Sequence, residues 1–347
     1  MSGVCVLRAD ADSEMGTGHV TRLISLGTWW IRAGGDAYIV GAAPDGLRRR
    51  AIDRGIDWIS DSHGFDESAA SGLAALAHDR GAAWICVDGY KFGPEFVDAV
   101  RKQGARVLQF ADGVSWQTYA ADVLVDQNLF AERRHYSLSR TAGLPLAGSQ
   151  FACLDPSYVP YIAGRRVTRD RAHTVLVTMG GADPGGATVL AVEALTKVKS
   201  FEVATVAVGA SNSRTREIED ACAADPRLTV VRNTDRMADL MSGSDLAIAA
   251  AGTTTWELAA LGVPALLAVT AANQAPIASA MEEVGAAASL GELQSLTAEH
   301  IADRARGLLG DRAVREQMSN TARSLVDGRG GERIITEMLR IQASMAS

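Results

Sequence analysis

The sequence predicts an α/β protein made of two doubly wound domains of similar size. Apolar runs of strand length alternate with amphipathic stretches along nearly the whole chain. The runs are almost continuously apolar, as expected for parallel strands covered by helices on both faces. The alternation breaks once, over residues 157–172, and then restarts. At 347 residues the chain also exceeds the size at which one core keeps growing.

In the first half, VCVLRAD reads as a strand. A helix from about Val20 to Ala33, the strand DAYIVG, a helix near Leu47 to Arg54 and the strand IDWIS follow. Next come a helix ending near Arg80, the strand AWICVDG, a helix from Pro94 to Gln103, the strand RVLQFAD and a short VLVDQ. Residues 157–172 lose this periodicity, carry proline, glycine and a cluster of arginines, and read as a linker. The scheme repeats with TVLVTMGG, a helix from about Gly186 to Lys199, VATVAVG, a helix over 214–224, LTVVRN and a short helix near Leu240. DLAIAAAG, a helix from Thr254 and VPALLAV follow, and helices fill the remainder, ending with GERIITEMLRIQASM. The expected domains are 1–156 and 173–328, with 329–347 as a C-terminal helix packing back across the boundary. Two Rossmann-like domains facing a cleft are the simplest such architecture.

Hydrophobic residues make up 47% of the chain and charged residues 22%, which excludes a disordered protein. A net charge of −7 argues against nucleic acid and anionic membranes as partners, and leaves room for a local site that takes a phosphorylated small molecule. The amino terminus enters a strand at once, without a basic region or cleavage site, and apolar stretches fall short of the roughly 20 residues a membrane helix needs. A cytoplasmic protein, monomeric or weakly dimeric and not inserted in a membrane, is therefore expected. Cys5, Cys86, Cys153 and Cys222 lack the paired spacing of a zinc site and read as reduced structural thiols.

Residues 6–22, VLRADADSEMGTGHVTR, read as a strand running through a glycine-rich turn to a helix start. That places His19 at the carboxyl end of a strand, where open α/β sheets bind ligands. An imidazole, with an ordinary pKa of about 6.5, suits proton transfer there, while a histidine that merely caps or packs the helix start is the structural alternative. Gly16-Thr17-Gly18 begins like a dinucleotide fingerprint, but Thr21 stands at the third glycine position, so no nicotinamide or flavin cofactor is expected. Asp10-Ala11-Asp12 puts two acids on one strand face without further oxygen ligands, so no metal is expected.

A second cluster lies in the other half. Gly180 and Gly181 stand between a buried strand and a helix, where backbone N–H groups meet anions. Gly252 lets a ligand approach the backbone in AAAGTTTWELAALG, and Thr253 and Thr254 add hydroxyls at the helix start. Both helix starts are expected to hold one diphosphate. Glu257 follows Thr254 at the spacing of a capping box, and its carboxylate is equally suited to the vicinal hydroxyls of a ribose. Two glycine-rich helix starts and the loop ending in Asn273-Gln274 favour the second reading and outline a nucleotide-diphosphate pocket.

GTGHVTR with the preceding RAD, then VDGYKFGPEFV, VLVDQN, VTMGGADP, DLAIAAAGTTTWELAALGVP and AANQ stand in a characteristic order. From about residue 4 to residue 285 the chain resembles the UDP-2,4-diacetamido-2,4,6-trideoxy-β-L-altropyranose hydrolases of the pseudaminic acid pathway, a hydrolytic relative of GT-B glycosyltransferases. The resemblance implies metal-independent, inverting hydrolysis of a UDP-activated deoxy amino sugar with release of UDP. It puts the catalytic histidine on His19, the active-site tyrosine on Tyr90 and the active-site asparagine on Asn273. It puts nucleotide binding on Gly180, Gly181, Asp183, Thr253, Thr254 and Glu257; Gly18, Arg22, Gly252 and Gln274 are further candidate substrate-binding residues. Asp12, Ala111, Ala272 and Asp155 depart from the family pattern on the sugar side and leave the sugar open.

Cleaving a glycosyl phosphate needs a water opposite the leaving group and stabilisation of charge on the diphosphate. His19 is expected to deprotonate that water, with Asp10 or Asp112 as the alternative base. The same donor residues serve a glycosyltransferase in which His19 deprotonates an acceptor hydroxyl. The Trp29-Trp30 pair is the one candidate acceptor patch, and a helix core explains it equally well. A non-catalytic nucleotide-sugar sensor is the remaining alternative, against which the presence of His19 speaks.

Overall fold

Successive side chains on a strand point to opposite faces, so a strand that is apolar at every position needs cover on both sides. The first strands of this protein show the consequence. In the computed structural model, which describes residues 2–12, 16–60, 64–111, 118–131, 143–164 and 166–344, β1 (Val4–Arg8) sends Leu7 to one core and Val6 to another. Contacts divide the chain into two units, Met1–Pro156 with Gly328–Ser347, and Ser157–Asp327.

In the first unit α1 (Gly18–Arg32), β2 (Asp36–Gly41), α2 (Asp45–Asp53), β3 (Asp57–Ser60) and α3 (Glu67–Asp79) follow β1. Then come β4 (Ala82–Val87), α4 (Pro94–Lys102), β5 (Val107–Phe110), β6 (Val123–Asp126) and β7 (Leu144–Ala147). Among the described residues these strands form one parallel sheet in the order β3-β2-β1-β4-β5-β6-β7. Leu7, Ile39, Trp84 and Leu108 pack under Leu23, Ile24, Leu26 and Trp30 of α1. Val6, Val40, Ile85 and Val87 pack under α3 and α4 through Leu73, Phe96 and Val97. Trp30 is fully buried and donates its indole N–H to Gly3 O (3.0 Å), and Trp29 donates to Leu154 O (2.8 Å). The tryptophan pair therefore belongs to the core and offers no exposed acceptor patch.

The second unit runs α5 (Val159–Ile162), β8 (Thr174–Thr178), α6 (Ala187–Thr196), β9 (Val203–Val208), α7 (Thr215–Ala223), β10 (Leu228–Arg232) and α8 (Met237–Gly243). It continues through β11 (Leu246–Ala250), α9 (Thr254–Leu261), β12 (Ala265–Val269), α10 (Ala275–Glu283), β13 (Ala288–Glu292), α11 (Ala298–Gly310) and α12 (Arg312–Leu325). Its described strands form a parallel sheet in the order β10-β9-β8-β11-β12-β13. Arg166 and Arg169, before β8, are held by groups of this same unit. Arg166 donates to Ser244 O, Arg169 pairs with Asp245 at 3.1 Å, and the fully buried Arg315 reaches Arg169 O at 2.8 Å.

The last helix, α13 (Gly330–Ser344), belongs to the first unit, where Ile334, Ile335 and Met338 join the core beneath α1. Two strands were not expected: β7, and β13 where only helix was anticipated. Both are sheet edges poor in β-branched residues, so their pairing comes from the neighbouring strand rather than local preference. The four cysteines are free and buried, and burial pushes the Cys153 thiol up to about 12. Among the described residues no helix is long and apolar enough to cross a membrane.

Candidate functional site

In an open α/β sheet the two loops at the point where strand order reverses diverge, which leaves a crevice above the carboxyl ends of the strands. The first sheet reverses between β1 and β4, the second between β8 and β11. The loops after these four strands carry most of the residues singled out from the sequence.

In the first unit, Gly16 adopts φ 75° in the turn after β1, and α1 starts at Gly18. His19 and Arg22, three residues apart, lie on the same helix face. Both reach Asp88, the first residue past β4. His19 Nδ1 lies 2.8 Å from Asp88 Oδ1, Arg22 Nε donates to Oδ2 at 2.7 Å and Arg22 Nη2 to Oδ1 at 2.6 Å. All three side chains are buried, at 6%, 2% and 1% exposure for His19, Arg22 and Asp88. Burial alone pushes the Asp88 carboxyl up, but the Arg22 guanidinium and His19 outweigh it and hold the group below the ordinary aspartate value. A carboxylate at Nδ1 fixes the neutral ring with its proton there, which makes Nε2 the basic nitrogen. The half-buried Tyr90 meets the His19 ring edge-on, centroids 4.6 Å apart, and Arg22 lies over Phe110 at 4.4 Å.

Asp10 is placed differently. Its Oδ1 accepts from Ala42 N at 2.8 Å and its Oδ2 pairs with the buried Arg8 at 2.8 Å, so the carboxylate braces β1 against the end of β2. Asp112 lies outside the described residues. Among the described residues, no group of three or more His, Cys, Asp or Glu is arranged to hold a metal ion. Asp155, one of the departures from the family pattern, is buried and paired with Arg54 at 3.0 Å.

In the second unit the two helix starts differ. Asp183, with φ 46°, turns its carboxylate onto the start of α6, Oδ1 accepting from Ala187 N and Oδ2 from Thr188 N, each at 2.9 Å. The expectation that both helix starts present their amides to an anion is thereby corrected: α6 is capped by its own acid. An acid placed just before a helix satisfies the orphan N–H groups and the dipole together. The start of α9 is tied by its own backbone: Thr255 N donates to Gly252 O at 3.0 Å and Trp256 N to Thr253 O at 3.1 Å. Thr253 is its N-cap residue and makes no side-chain cap hydrogen bond. Glu257 then stands at the fourth helical position, one beyond the capping-box register. Gln274 accepts from Thr270 N (2.9 Å) and Thr270 Oγ1 (3.0 Å), which turns its Nε2 to within 3.8 Å of where a Cβ of Gly252 would stand. Gly252, Thr253, Thr254, Glu257 and Gln274 thus gather at one helix start, with Asn273 exposed beside Gln274. Gly180 and Gly181 stand in the turn before α6, where Gly181 accepts from Ser211 N at 3.1 Å.

Asp88 was missed from the sequence. Its signal was the acid ending the apolar run AWICVD, one position past the Arg8–Val87 pair of β1 and β4.

Residues 174–327 match the family model "Glycosyltransferase family 28 C-terminal domain". The spore coat polysaccharide biosynthesis protein SpsG of Bacillus subtilis (strain 168) is 24% identical over 185 residues, 53% of this chain. That match spans 54% of the relative, about half its length. MurG of Acinetobacter baumannii superposes with a TM-score of 0.65 at 16% identity, covering 97% of this chain and 99% of that one. The UDP co-structure of MnaA from S. aureus superposes with a TM-score of 0.65 at 13% identity, covering 96% and 95%. At these identities the likeness is one of fold. The chain consists of two parallel-sheet α/β Rossmann-like domains of the kind found in GT-B glycosyltransferases.

Proposed function

We propose that the protein is an enzyme that breaks the anomeric C–O bond of a UDP-activated amino sugar. In this reading the second unit binds the nucleotide and His19 of the first supplies the base. The pairing of His19 Nδ1 with a buried, charged Asp88 at a strand-order reversal carries it, because an oriented imidazole is the usual base for a hydroxyl nucleophile. The attacking hydroxyl oxygen bonds to the anomeric carbon, its proton passes to His19 Nε2, and the bond to phosphate breaks with its electron pair leaving on UDP.

Tyr90, beside His19, and Asn273 position the sugar's polar groups. Arg22 acts through Asp88, and Asp10 holds the loop that follows β1. The positive end of α9, with the hydroxyls of Thr253 and Thr254 and with Gln274, stabilises charge on the diphosphate, and Glu257 accepts from the ribose.

Transfer to the hydroxyl of an acceptor is supported by the match of residues 174–327 to a glycosyltransferase domain and by a relative named for polysaccharide biosynthesis. Hydrolysis, with water as the acceptor, is the second reading and rests on the ordered motifs GTGHVTR, GGADP and TTWE. The test is to incubate the protein with a panel of UDP-sugars in ¹⁸O-labelled water, with and without saccharide acceptors, and to analyse products by mass spectrometry. UDP release only with acceptor indicates transfer. Labelled free sugar indicates hydrolysis. A panel left intact under both conditions contradicts the proposal.

A further inference from the structure

The turn after β9 is stitched to the glycine turn after β8. A Cβ on Gly209 would stand 2.5 Å from Gly181 Cα, so only glycine permits this approach, and Ser211 N donates to Gly181 O at 3.1 Å. Asn212 Oδ1 then accepts from Arg214 N at 2.8 Å and sets the start of α7. The result is that the Arg214 guanidinium lies against Gly186, the residue before α6. A Cβ there would stand 2.6 Å from Arg214 Cζ, and Gly186 also adopts φ 73°.

Glu217 grips this guanidinium from one side, accepting from Nε at 2.7 Å and from Nη2 at 2.8 Å. The Nη1 edge is the one turned to Gly186. An exposed Arg–Glu pair three residues apart contributes little to stability. Its effect here is to point a planar donor at the turn, and planar donors suit phosphate oxygens. The need for such a cation is specific to this turn, because Asp183 both occupies the α6 amides and adds negative charge. In the turns 179–186, 209–214, 251–253 and 270–274, all of them described, Arg214 is the one lysine or arginine.

We propose that Arg214 is the cationic contact to the diphosphate of the bound nucleotide, held ready by Glu217 and admitted by Gly186. This rests on the reading that the second unit binds UDP. Calorimetric titration with UDP tests it on the wild type, Arg214→Ala and Arg214→Lys, alongside the melting temperature of each protein without ligand. Loss of a charge-assisted hydrogen bond is expected to weaken UDP binding by about 10- to 100-fold in Arg214→Ala. Arg214→Lys should recover part of it, and neither ligand-free melting temperature should move. Arg214→Ala that binds UDP as wild type overturns the role of Arg214 while leaving the UDP site intact. Weakened binding with a matching fall in ligand-free melting temperature and no rescue by lysine makes Arg214 a structural residue, which also overturns the proposal. A wild type that fails to bind UDP overturns the reading beneath it.

Discussion

His19 and Asp88 meet 2.8 Å apart in the interior of the first unit, and the same carboxylate takes two further hydrogen bonds from Arg22. One acid therefore orients the imidazole and neutralises a buried guanidinium. Asp88→Asn keeps the shape but removes the charge that holds the proton on Nδ1. Turnover is expected to fall by about 10²-fold or more, as for loss of a well-placed base. UDP affinity should be unchanged, and steady-state kinetics beside titration separates the two.

Either substitution at Asp88, to Asn or to Ala, leaves the buried Arg22 without its carboxylate. Breaking one partner of a buried pair typically costs about 3–5 kcal/mol, so Asp88→Asn and Asp88→Ala should both unfold at markedly lower urea than the wild type. Wild-type midpoints in both variants contradict this.

The depressed Asp88 titration also fixes a pH dependence. A carboxyl held low in the folded state stabilises the protein at pH above its unfolded value of about 3.9, and that contribution is lost as pH falls through the folded value. Below about pH 4 the wild type should therefore lose stability more steeply than Asp88→Asn, which has no such proton to take up. Urea unfolding of both between neutral pH and pH 3 checks it, and parallel curves contradict it.

Asp183 caps α6 with both oxygens. Asp183→Ala should cost about 0.5–2 kcal/mol, the range for loss of a helix N-cap, and speed hydrogen exchange at Ala187 and Thr188. Unchanged exchange at these two amides contradicts the assignment.

Much of this was legible in the sequence because strand, turn and helix signals are local. The apolar VCVLR, the glycines before His19 and the helix face that follows specify their own conformation. Asp88 shows in the sequence only as the acid that ends AWICVD, and its importance arises when β4 lies beside β1 and His19 of α1 reaches it. GGADPGG read as two glycines waiting for a phosphate, whereas Asp183 turns back on its own helix. Arg214 was equally hidden, because its approach to Gly186 depends on β9 pairing with β8. The edge strands β7 and β13 escaped because their side chains say little and their neighbours decide.

Whether His19 is a base separate from nucleotide binding is tested most directly by the turnover of His19→Ala on a UDP-sugar that the wild type consumes, with UDP affinity determined on the same preparation. The expected result is a fall in kcat of about 10²- to 10⁴-fold with UDP affinity nearly unchanged. Near-normal turnover, or turnover and UDP affinity lost in proportion, would show that His19 merely completes the fold around Asp88.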